Sequence, residues 1–444
     1  MRSLCISVLL VVQLASAMDR QPNADYQKRR QALARKTSGG VVLLFAPSEV
    51  EGPNDIYGYR PENNFFYLTG WSEPGAALLI EPPVPAGNNS PERPYTEILF
   101  LPSHNPSQEQ WTGTKLGPEN PDASRITGFD HVEVLDNLRL ALARVLSLQS
   151  RAVYTDIPEG EQTSNSTAPL DWLKRANAFP VYVSFQDLRP LLRSLRTYKD
   201  AGEIDRIRKA TDASIAAHLM AMHVLKPGMT EREISALLQY EWGKRGCERP
   251  AYAPIVGAGL NSTVLHYSDD SGPINAGDLT LIDAAGEYSM YASDITRTLP
   301  ASGKFTPRQR EIYEIALGAQ NAAIAAFQSG KSMLSRDRPN SLYQVAYDYI
   351  DSHGKDSDGE RLGKYFIHGL SHYVGLNVHD EGDYDVPVGP GMVFTIEPGI
   401  YIPEEKLGVR IEDMFYVDAT GKLINLTQSL PHTVEEVERA MANK

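Results

Sequence analysis

Three of the ten histidines in this 444-residue chain lie within one short stretch, HGLSHYVGLNVHD, which contains His368, His372 and His379. Imidazole nitrogens bind divalent metals and move protons near neutral pH. The four-residue spacing of the first two would suit a helical zinc-protease motif, but Gly369 stands where that motif has its glutamate base, and Gly375 weakens a helix. We therefore predict a loop-and-strand segment in which one histidine binds metal and the others stay metal-free.

Two aspartates lie in the stretch LTLIDAAGEYSMYASDITRT, residues 279–298. We expect a strand over 279–282, a turn at Gly286-Glu287 and a returning strand over 291–296. Such a hairpin would bring Asp283 beside Asp294. Each aspartate taken singly is equally typical of a structural residue at a strand end or turn.

Two glutamates lie in VFTIEPGIYIPEEKLGVRIED, residues 393–413. Pro398-Gly399 ends one strand just after Glu397, and a second hairpin follows. Arg410 and Glu412 are two residues apart, so on a strand they point to one face and contact the same groups. An exposed, salt-bridged strand is the alternative. Isoleucines flank both glutamates, however, and a buried carboxylate is costly unless it is paired or bound to metal.

Four carboxylates and one imidazole are more ligands than a single ion needs. Two divalent cations that share bridging carboxylates suit the set, and its oxygen-rich character favours a hard ion such as Mn²⁺ over a thiolate-type zinc site. Two metals about 3.5–4 Å apart can hold a bridging hydroxide, which is a nucleophile at neutral pH. The residues therefore predict metal-assisted hydrolysis.

Composition excludes several other classes of protein. The formal charge is 43 − 56 = −13 and no dense Lys/Arg stripe is present, so we expect no nucleic-acid partner and no attraction to anionic membranes.

The chain has two cysteines, Cys5 and Cys247. Cys5 falls in the signal segment described next, so the mature chain would have no internal disulfide, and Cys247 is interpreted as structural.

The first seventeen residues, MRSLCISVLLVVQLASA, resemble a secretory signal peptide. Arg2 precedes an apolar run that is too short to cross a bilayer, and an A-x-A cleavage site ends at Ala17. We predict export, to the periplasm or outside the cell, without stable membrane insertion. A buried amino-terminal helix, or translation that starts at Met18, is the alternative.

The remaining chain divides near residues 188–190. We predict an α/β domain over 18–190, because β-like runs at 41–45, 76–80, 97–101 and 152–156 alternate with helical pattern, as at 138–146. Residues 191–444 are predicted to form an α+β domain. Its helices run from Lys199 into the 220s, after a capping box at Thr230 and Glu233, and over about 306–328.

Several segments around these residues are similar to known metallopeptidases. The segments are VLHYSDD, LIDAAGEY, YASDITRTLP, HGLSHYVGLNVHD, TIEPGIYI and GVRIED, with YRPENNFFYLTGWSEPGAALLI nearer the amino terminus. In order and spacing they resemble the pita-bread family of dinuclear metallopeptidases, in particular its aminopeptidase P branch. The resemblance covers nearly all of the mature chain. It implies a creatinase/prolidase-like α/β domain followed by a pita-bread catalytic domain.

The resemblance also implies a role for each metal ligand. Asp283 would bind one ion, Asp294 and Glu412 would bridge both, and His372 with Glu397 would complete the second. Glu397 would also carry a proton to the leaving nitrogen.

The same resemblance implies a substrate shell around the metals. Three histidines would orient the scissile peptide and stabilise charge on its carbonyl: His266, His368 and His379. Arg410 would support them, and Tyr401 would contact either the substrate or the residues around it. A proline-specific site fits an Xaa-Pro bond, which has no N–H and a constrained φ. The implied activity is release of the residue before proline from proline-containing peptides, by attack of a metal-bridging hydroxide.

Trp111, in EQWTG, matches a tryptophan that in relatives reaches a neighbouring subunit's active site. This predicts a homo-oligomer, a dimer or tetramer, whereas an ordinary surface tryptophan is the alternative.

Three other functions remain open. They are an Xaa-Pro dipeptidase (prolidase), a catalytically inactive scaffold that binds peptides, and a metal-free creatinase-like enzyme. The intact set of five ligands disfavours the last two.

Overall fold

A computed structural model of the chain describes residues 18–47, 57–87, 92–148, 152–156 and 183–442. The predicted signal segment, residues 1–17, lies outside the described residues. Across the described ranges, no helix is both long enough and apolar enough to span a bilayer.

The amino-terminal part is built on one six-stranded sheet. Its strands are β1 (Val41–Phe45), β2 (Ala77–Glu81), β3 (Thr96–Leu101), β4 (His131–Val134), β5 (Ala152–Thr155) and β6 (Ser184–Asp187), in the spatial order β4-β3-β2-β1-β5-β6. The β1–β2 and β2–β3 pairs are antiparallel, whereas the other three pairs are parallel. Its helices are α1 (Asn23–Ala34), α2 (Asn63–Thr69), α3 (Pro106–Thr112), α4 (Ala123–Thr127) and α5 (Leu138–Leu148).

Both faces of this sheet are covered, which explains why β1 is apolar throughout. Val42 and Leu44 pack with residues of α1 and α2, whereas Val41 and Leu43 pack with residues of α5. Successive strand residues point to opposite faces, so a strand between two helical layers is apolar at every position. The predicted α/β class is confirmed.

Six helices follow within the described residues 183–442. They are α6 (Arg189–Arg196), α7 (Ala201–Val224), α8 (Glu231–Gly243), α9 (Pro307–Ala326), α10 (Leu342–His353) and α11 (Val434–Ala442). The capping box predicted at Thr230 and Glu233 is present, and Asp200 with Glu203 forms another at the start of α7. Each box satisfies amide donors that lack a partner in the first helical turn.

Short antiparallel sheets make up the rest of this α+β part. The strands are β7 (Arg249–Pro250), β8 (Ile255–Ala258), β9 (Leu279–Asp283), β10 (Gly286–Tyr288), β11 (Tyr291–Ala292), β12 (Thr296–Pro300), β13 (Val393–Ile396), β14 (Gly399–Ile402), β15 (Leu407–Arg410), β16 (Asp413–Val417) and β17 (Leu423–Asn425). They pair as β11-β10-β7, β12-β9-β8, β13-β16-β17 and β14-β15. A bridge between Thr296 and Glu412 joins two of these sheets.

The turn predicted at Gly286-Glu287 is wrong. Both residues belong to β10, and the chain reverses at Ser289 and Met290, whose φ angles are 48° and 75°. Gly286 is required for packing, since a Cβ there would lie 2.7 Å from the Cys247 sulfur. The long returning strand begins at Thr296, so the predicted span 291–296 was also wrong.

The strand predicted through GVRIED is interrupted. It ends at Arg410 and the next strand begins at Asp413, because the backbone amides between them bond to two different segments. The Ile411 amide donates to the Pro398 carbonyl and the Glu412 amide donates to the Thr296 carbonyl. The chain passes here from one sheet to another.

Candidate metal centre

The predicted ligands converge around the His372 imidazole. Its Nε2 lies 3.2 Å from an Asp294 oxygen, 3.3 Å from a Glu397 oxygen and 3.9 Å from a Glu412 oxygen. One ligand atom each from Asp294, His372 and Glu412 fall within 4.8 Å of one another, which is a spacing that can hold a metal ion.

The His372 ring is oriented by its own loop. Its Nδ1 lies 3.1 Å from the Tyr373 carbonyl, so Nδ1–H donates there and Nε2 faces the carboxylates. The segment is an irregular loop with one bridge, Tyr373 to Phe394, so the predicted loop is confirmed and the predicted strand is wrong. Thr395 fixes two neighbours, because its hydroxyl accepts from the His372 amide and donates to Glu397.

Asp283 joins the cluster through a tyrosine that the sequence did not single out. The Tyr252 hydroxyl lies 2.6 Å from an oxygen of Asp283 and 2.6 Å from an oxygen of Asp294. The other Asp283 oxygen accepts from Arg410 at 2.5 Å. The two aspartates are therefore adjacent, as the predicted hairpin required, although Asp294 lies outside the strands.

Arg410 and Glu412 do contact the same group. The Thr296 hydroxyl donates to Glu412 at 2.6 Å and accepts from the Arg410 Nε at 3.1 Å. Arg410 is 4% exposed and Glu412 1% exposed, which excludes a solvent-exposed salt-bridged strand.

The charge balance of the cluster fits bound cations. Four carboxylates line the cavity, and among the described residues that line it Arg410 is the only permanently charged cation. Burial, with the charge of Asp294 adding to it, raises the pKa of Glu397 to about 7. Burial and the charges of Asp294 and Glu397 likewise raise the pKa of Glu412 well above its usual value. Burial alone would lower the pKa of His372, but Asp294 and Glu397 outweigh it and raise that pKa to about 9. Divalent ions relieve such crowding of carboxylates.

His368 is held neutral beside the cluster. Its Nδ1 donates to the Gly369 carbonyl at 2.7 Å, and its Nε2 accepts from the Tyr401 hydroxyl at 2.8 Å. Tyr401 in turn accepts from Arg410 at 2.7 Å. Burial, followed by the charge of Arg410, lowers the pKa of His368 to about 3. The imidazole is therefore an uncharged polar group at neutral pH.

His379 and His266 line the open side of the same cavity, whose volume is about 290 Å³. The His379 ring contacts His372 with their centroids 4.1 Å apart and their planes tilted by 55°. Burial, followed by the charges of His372 and His266, lowers the pKa of His379 to about 4. All three histidines predicted to stay metal-free thus surround the candidate metal ligands.

Trp111 lies apart from these residues. It belongs to α3 in the amino-terminal part and is 86% exposed. Within the described residues of this one chain, it does not line the cavity.

Sequence reasoning missed three side chains that hold the ligands: Tyr252, Thr296 and Thr395. Thr395 precedes Glu397 by two residues, so the two share a face when the backbone is extended, and that spacing could have indicated the contact. Thr296 donates to Glu412, 116 residues away, and Tyr252 is 31 and 42 residues from its two aspartates. Sequence spacing gave no indication for either of these two residues.

Comparison with known proteins assigns the family. Residues 205–419 match metallopeptidase family M24, and residues 26–154 match the aminopeptidase P amino-terminal domain. The chain is 34% identical to the Xaa-Pro aminopeptidase of Escherichia coli strain K12, over 94% of this chain and 97% of that protein. The chain belongs to metallopeptidase family M24. Human Xaa-Pro aminopeptidase 3 is 32% identical, over 91% of this chain and 81% of that protein.

Solved structures of M24 enzymes share the whole architecture. A putative aminopeptidase P from Bacillus anthracis has a TM-score of 0.84 and 28% identity, covering 95% of this chain and 99% of its own. Escherichia coli aminopeptidase P with the inhibitor Pro-Leu has a TM-score of 0.82 and 32% identity, covering 96% and 99%. The predicted fold, an α/β amino-terminal domain followed by a pita-bread catalytic domain, is confirmed. The chain is a metallo-aminopeptidase, and M24 membership implies divalent metal ions.

Proposed function

We propose that this M24 enzyme releases the amino-terminal residue from peptides that have proline in the second position. The observation that carries the proposal is the convergence of the Asp294, Glu397 and Glu412 carboxylates on His372. Asp283 and three further histidines line the same cavity. A second observation supports aminopeptidase over prolidase activity. Pro-Leu, the inhibitor in the related Escherichia coli structure, is what remains when one residue is removed from an Xaa-Pro-Leu tripeptide.

We propose two divalent ions, most simply Mn²⁺, held by five side chains: Asp283, Asp294, His372, Glu397 and Glu412. Their hard oxygen donors support this choice of ion. When bound, such ions supply Lewis acidity and make a water molecule nucleophilic at neutral pH. Asp283 would exchange its hydrogen bond from Arg410 for a metal in this arrangement, while Tyr252 keeps it beside Asp294.

Glu397 is the proposed proton carrier. Its carboxylate lies 3.3 Å from the His372 Nε2 in the cavity, where it can take up a proton and then give it to the leaving proline nitrogen. The Thr395 hydroxyl, 3.1 Å from one Glu397 oxygen, fixes the direction of the carboxylate. The other oxygen lies 3.8 Å from His368.

The three surrounding histidines and Arg410 are proposed to bind and orient the substrate. His266 and His379 at the open side can donate to the scissile carbonyl as negative charge develops on it. Arg410, Tyr401 and His368 form a chain of hydrogen bonds that keeps these groups in place. The peptide's free amine would lie near the carboxylates, since opposite charges attract in a buried site.

A paired hydrolysis assay tests the function. Purified protein with added Mn²⁺ is expected to cleave Xaa-Pro-Yaa at the Xaa-Pro bond, and a chelator should abolish this. Cleavage of the Xaa-Pro dipeptide alone would move the assignment to prolidase. No cleavage of either peptide by the metal-loaded protein would refute the proposal.

The proposal that His372 binds metal and His379 does not gives a further prediction. His372→Ala should abolish activity and lower bound metal, because His372 is a ligand. His379→Ala should reduce the rate while metal content stays near that of the unaltered protein. Metal analysis after gel filtration, alongside the kinetics, checks both. Loss of metal from the His379 variant would contradict the assignment.

We also propose that the enzyme is a homo-oligomer in which Trp111 contacts a neighbouring subunit's site. The support is the match of Trp111 to a tryptophan that in relatives reaches a neighbouring subunit's site, together with its 86% exposure on α3. Trp111→Ala should lower activity without changing metal content, whereas Leu140→Ala, an exposed apolar control at 73%, should not. Full activity at dilutions where sedimentation shows only monomer would contradict the proposal.

Export is proposed on the signal-like segment 1–17 alone. Amino-terminal sequencing of the protein from its native cell is expected to begin at Met18. A mature protein that retains Arg2 would contradict export by this signal.

A further inference from the structure

The loop that carries His379 ends in a fully buried ion cluster. One Asp380 oxygen accepts from an Arg196 nitrogen at 2.5 Å, and the other accepts from the Lys199 ammonium at 3.0 Å. These three side chains are only 1–3% exposed. We call this group, Arg196, Lys199 and Asp380, the Asp380 clamp.

The clamp contributes little net free energy to the stability of the fold. Removing three charges from water costs free energy that their mutual attraction returns only in part. The polar atoms are nevertheless almost all satisfied, since Lys199 also donates to the Arg196 carbonyl at 2.8 Å and Arg196 donates to Asn64 at 2.7 Å. A well-bonded cluster with little net benefit to stability points to a role in geometry.

The His379 loop is folded directly against the clamp. The Asn377 amide donates to an Asp380 oxygen at 3.3 Å, and the Asp380 amide donates to the Tyr373 carbonyl. At Gly375 there is no room for a side chain, because a Cβ would lie 2.1 Å from an Asp380 oxygen and 2.9 Å from the Lys199 side chain. The loop therefore closes on Asp380, through its backbone amide at Tyr373 and through its carboxylate at Asn377.

The amino-terminal part of the chain holds the middle of this loop. Arg60 donates to the Leu376 carbonyl at 2.8 Å, and Asn63 donates to the Asn377 side chain at 2.6 Å. Asn64, beside Asn63 on α2, reaches the clamp through Arg196. The loop thus rests on residues from both parts of the chain.

His379 itself has little else to position it. Among the described residues, no group hydrogen bonds to its ring, and its one aromatic contact is the tilted His372 ring, 4.1 Å away between centroids. The direction of its imidazole must follow from the backbone of residues 375–380.

We propose that Asp380, held between Arg196 and Lys199, is the positioning residue that directs the His379 imidazole into the site, and that α2 shares this task through Asn63. The inference rests on the proposed function for its kinetic consequence. A displaced His379 leaves the metal ligands in place, so the turnover rate should suffer more than metal content or substrate affinity. A misplacement of about 1 Å in an active site can cost on the order of 100-fold in rate.

The test is a double-mutant cycle between the clamp and the histidine. Asp380→Asn should lower kcat by about 10- to 100-fold with KM and metal content unchanged. In the His379→Ala background the same change should lower kcat no further, since the group it positions is already gone. Arg206→Met is the matched control, because Arg206 is 7% exposed and paired with Asp19, away from this loop. It should leave kcat unchanged.

A second measurement keeps the inference testable if Asp380→Asn does not fold. Asn63→Ala removes a single peripheral contact and should give a smaller fall in kcat that is again absent in the His379→Ala background. Hydrogen exchange of residues 374–380 should quicken in either variant and stay unchanged in Arg206→Met.

Three results would overturn the proposal. They are an equal loss of kcat with and without His379, an unchanged kcat in a folded Asp380→Asn protein, and unchanged exchange in residues 374–380. Hydrogen exchange needs no substrate, so it tests whether the Asp380 clamp holds the loop even if the unaltered protein cleaves neither test peptide. Failure to cleave either peptide would refute the proposed function separately.

Discussion

At the scale of single residues, the site depends on side chains that hold the ligands as much as on the ligands. The Tyr252 hydroxyl reaches Asp283 and Asp294 at 2.6 Å each. It has one proton to donate, so it bonds to the two carboxylates in turn or the carboxylates share a proton between them. In both cases the phenol fixes the separation of two proposed metal ligands.

Replacing this phenol should weaken metal binding without unfolding the protein. Tyr252→Phe keeps the ring and removes the hydroxyl, and loss of a group that orients ligands typically costs about 10- to 100-fold in metal affinity or activity. Metal titration monitored by activity and by calorimetry measures the change. Tyr313→Phe is the control, because that buried hydroxyl donates to the His432 carbonyl instead. Equal metal affinity in the two variants would contradict a role for Tyr252.

At the scale of elements, the site is assembled where short segments approach very closely. β15 passes against the 3-10 turn of Gly259–Thr263, which leads to His266. The Gly408 amide donates to the Ser262 hydroxyl at 2.9 Å, and a Cβ on Gly408 would lie 1.9 Å from the Ser262 carbonyl oxygen. The backbone at this crossing therefore admits only glycine.

A methyl group at this crossing should separate the two segments. Gly408→Ala should lower stability by about 1–3 kcal/mol, the usual cost of overpacking, because the obstacle is backbone that cannot rotate away. Gly389→Ala is the control, since a Cβ there meets nothing within 4 Å. Thermal unfolding of both variants checks this, and similar melting temperatures for the two would refute the argument.

At the scale of the whole molecule, the two parts of the chain share one core. A single apolar cluster contains Leu44 and Phe65 from the amino-terminal part and Met290 and Val374 from the catalytic part. Burial of this surface couples the parts energetically. A further buried group, His218 on α7, joins helix to sheet through the Ala284 carbonyl at 2.9 Å.

His218 should make the stability of the molecule depend on pH. Burial lowers its pKa from 6.5 to about 4. The unfolded chain takes up this proton below about pH 6.5 and the folded chain only below about 4, so stability falls as pH drops across that window. A shift of 6.5 − 4 = 2.5 units amounts to about 3 kcal/mol.

The matching experiment compares urea unfolding midpoints between pH 4.5 and 7.5, with chelator present, for the unaltered protein and two variants. His218→Asn should show a shallower pH dependence than the unaltered protein, whatever its absolute stability. His223→Asn, on the same helix but exposed, should keep the original slope. Parallel curves for all three would mean that His218 makes no contribution.

Much of this molecule follows from local pattern in the sequence. The apolar runs at 41–45 and 97–101 became β1 and β3, and the Thr230 capping box begins α8, because each depends on interactions within a few residues. The glycines of HGLSHYVGLNVHD excluded a helix for the same local reason. The identities of the five proposed ligands also came from sequence, through residue type and resemblance, and the structure brings them together.

Only the tertiary structure decided what holds those ligands. Tyr252 is 31 residues from Asp283 and 42 from Asp294, and Asp380 is 184 from Arg196. No local pattern links such pairs, since their contact depends on the path of the whole chain. The turn expected at Gly286 fails for the same reason. A glycine that serves a turn and one that makes room for Cys247 look alike in sequence, and only the packed neighbours distinguish them.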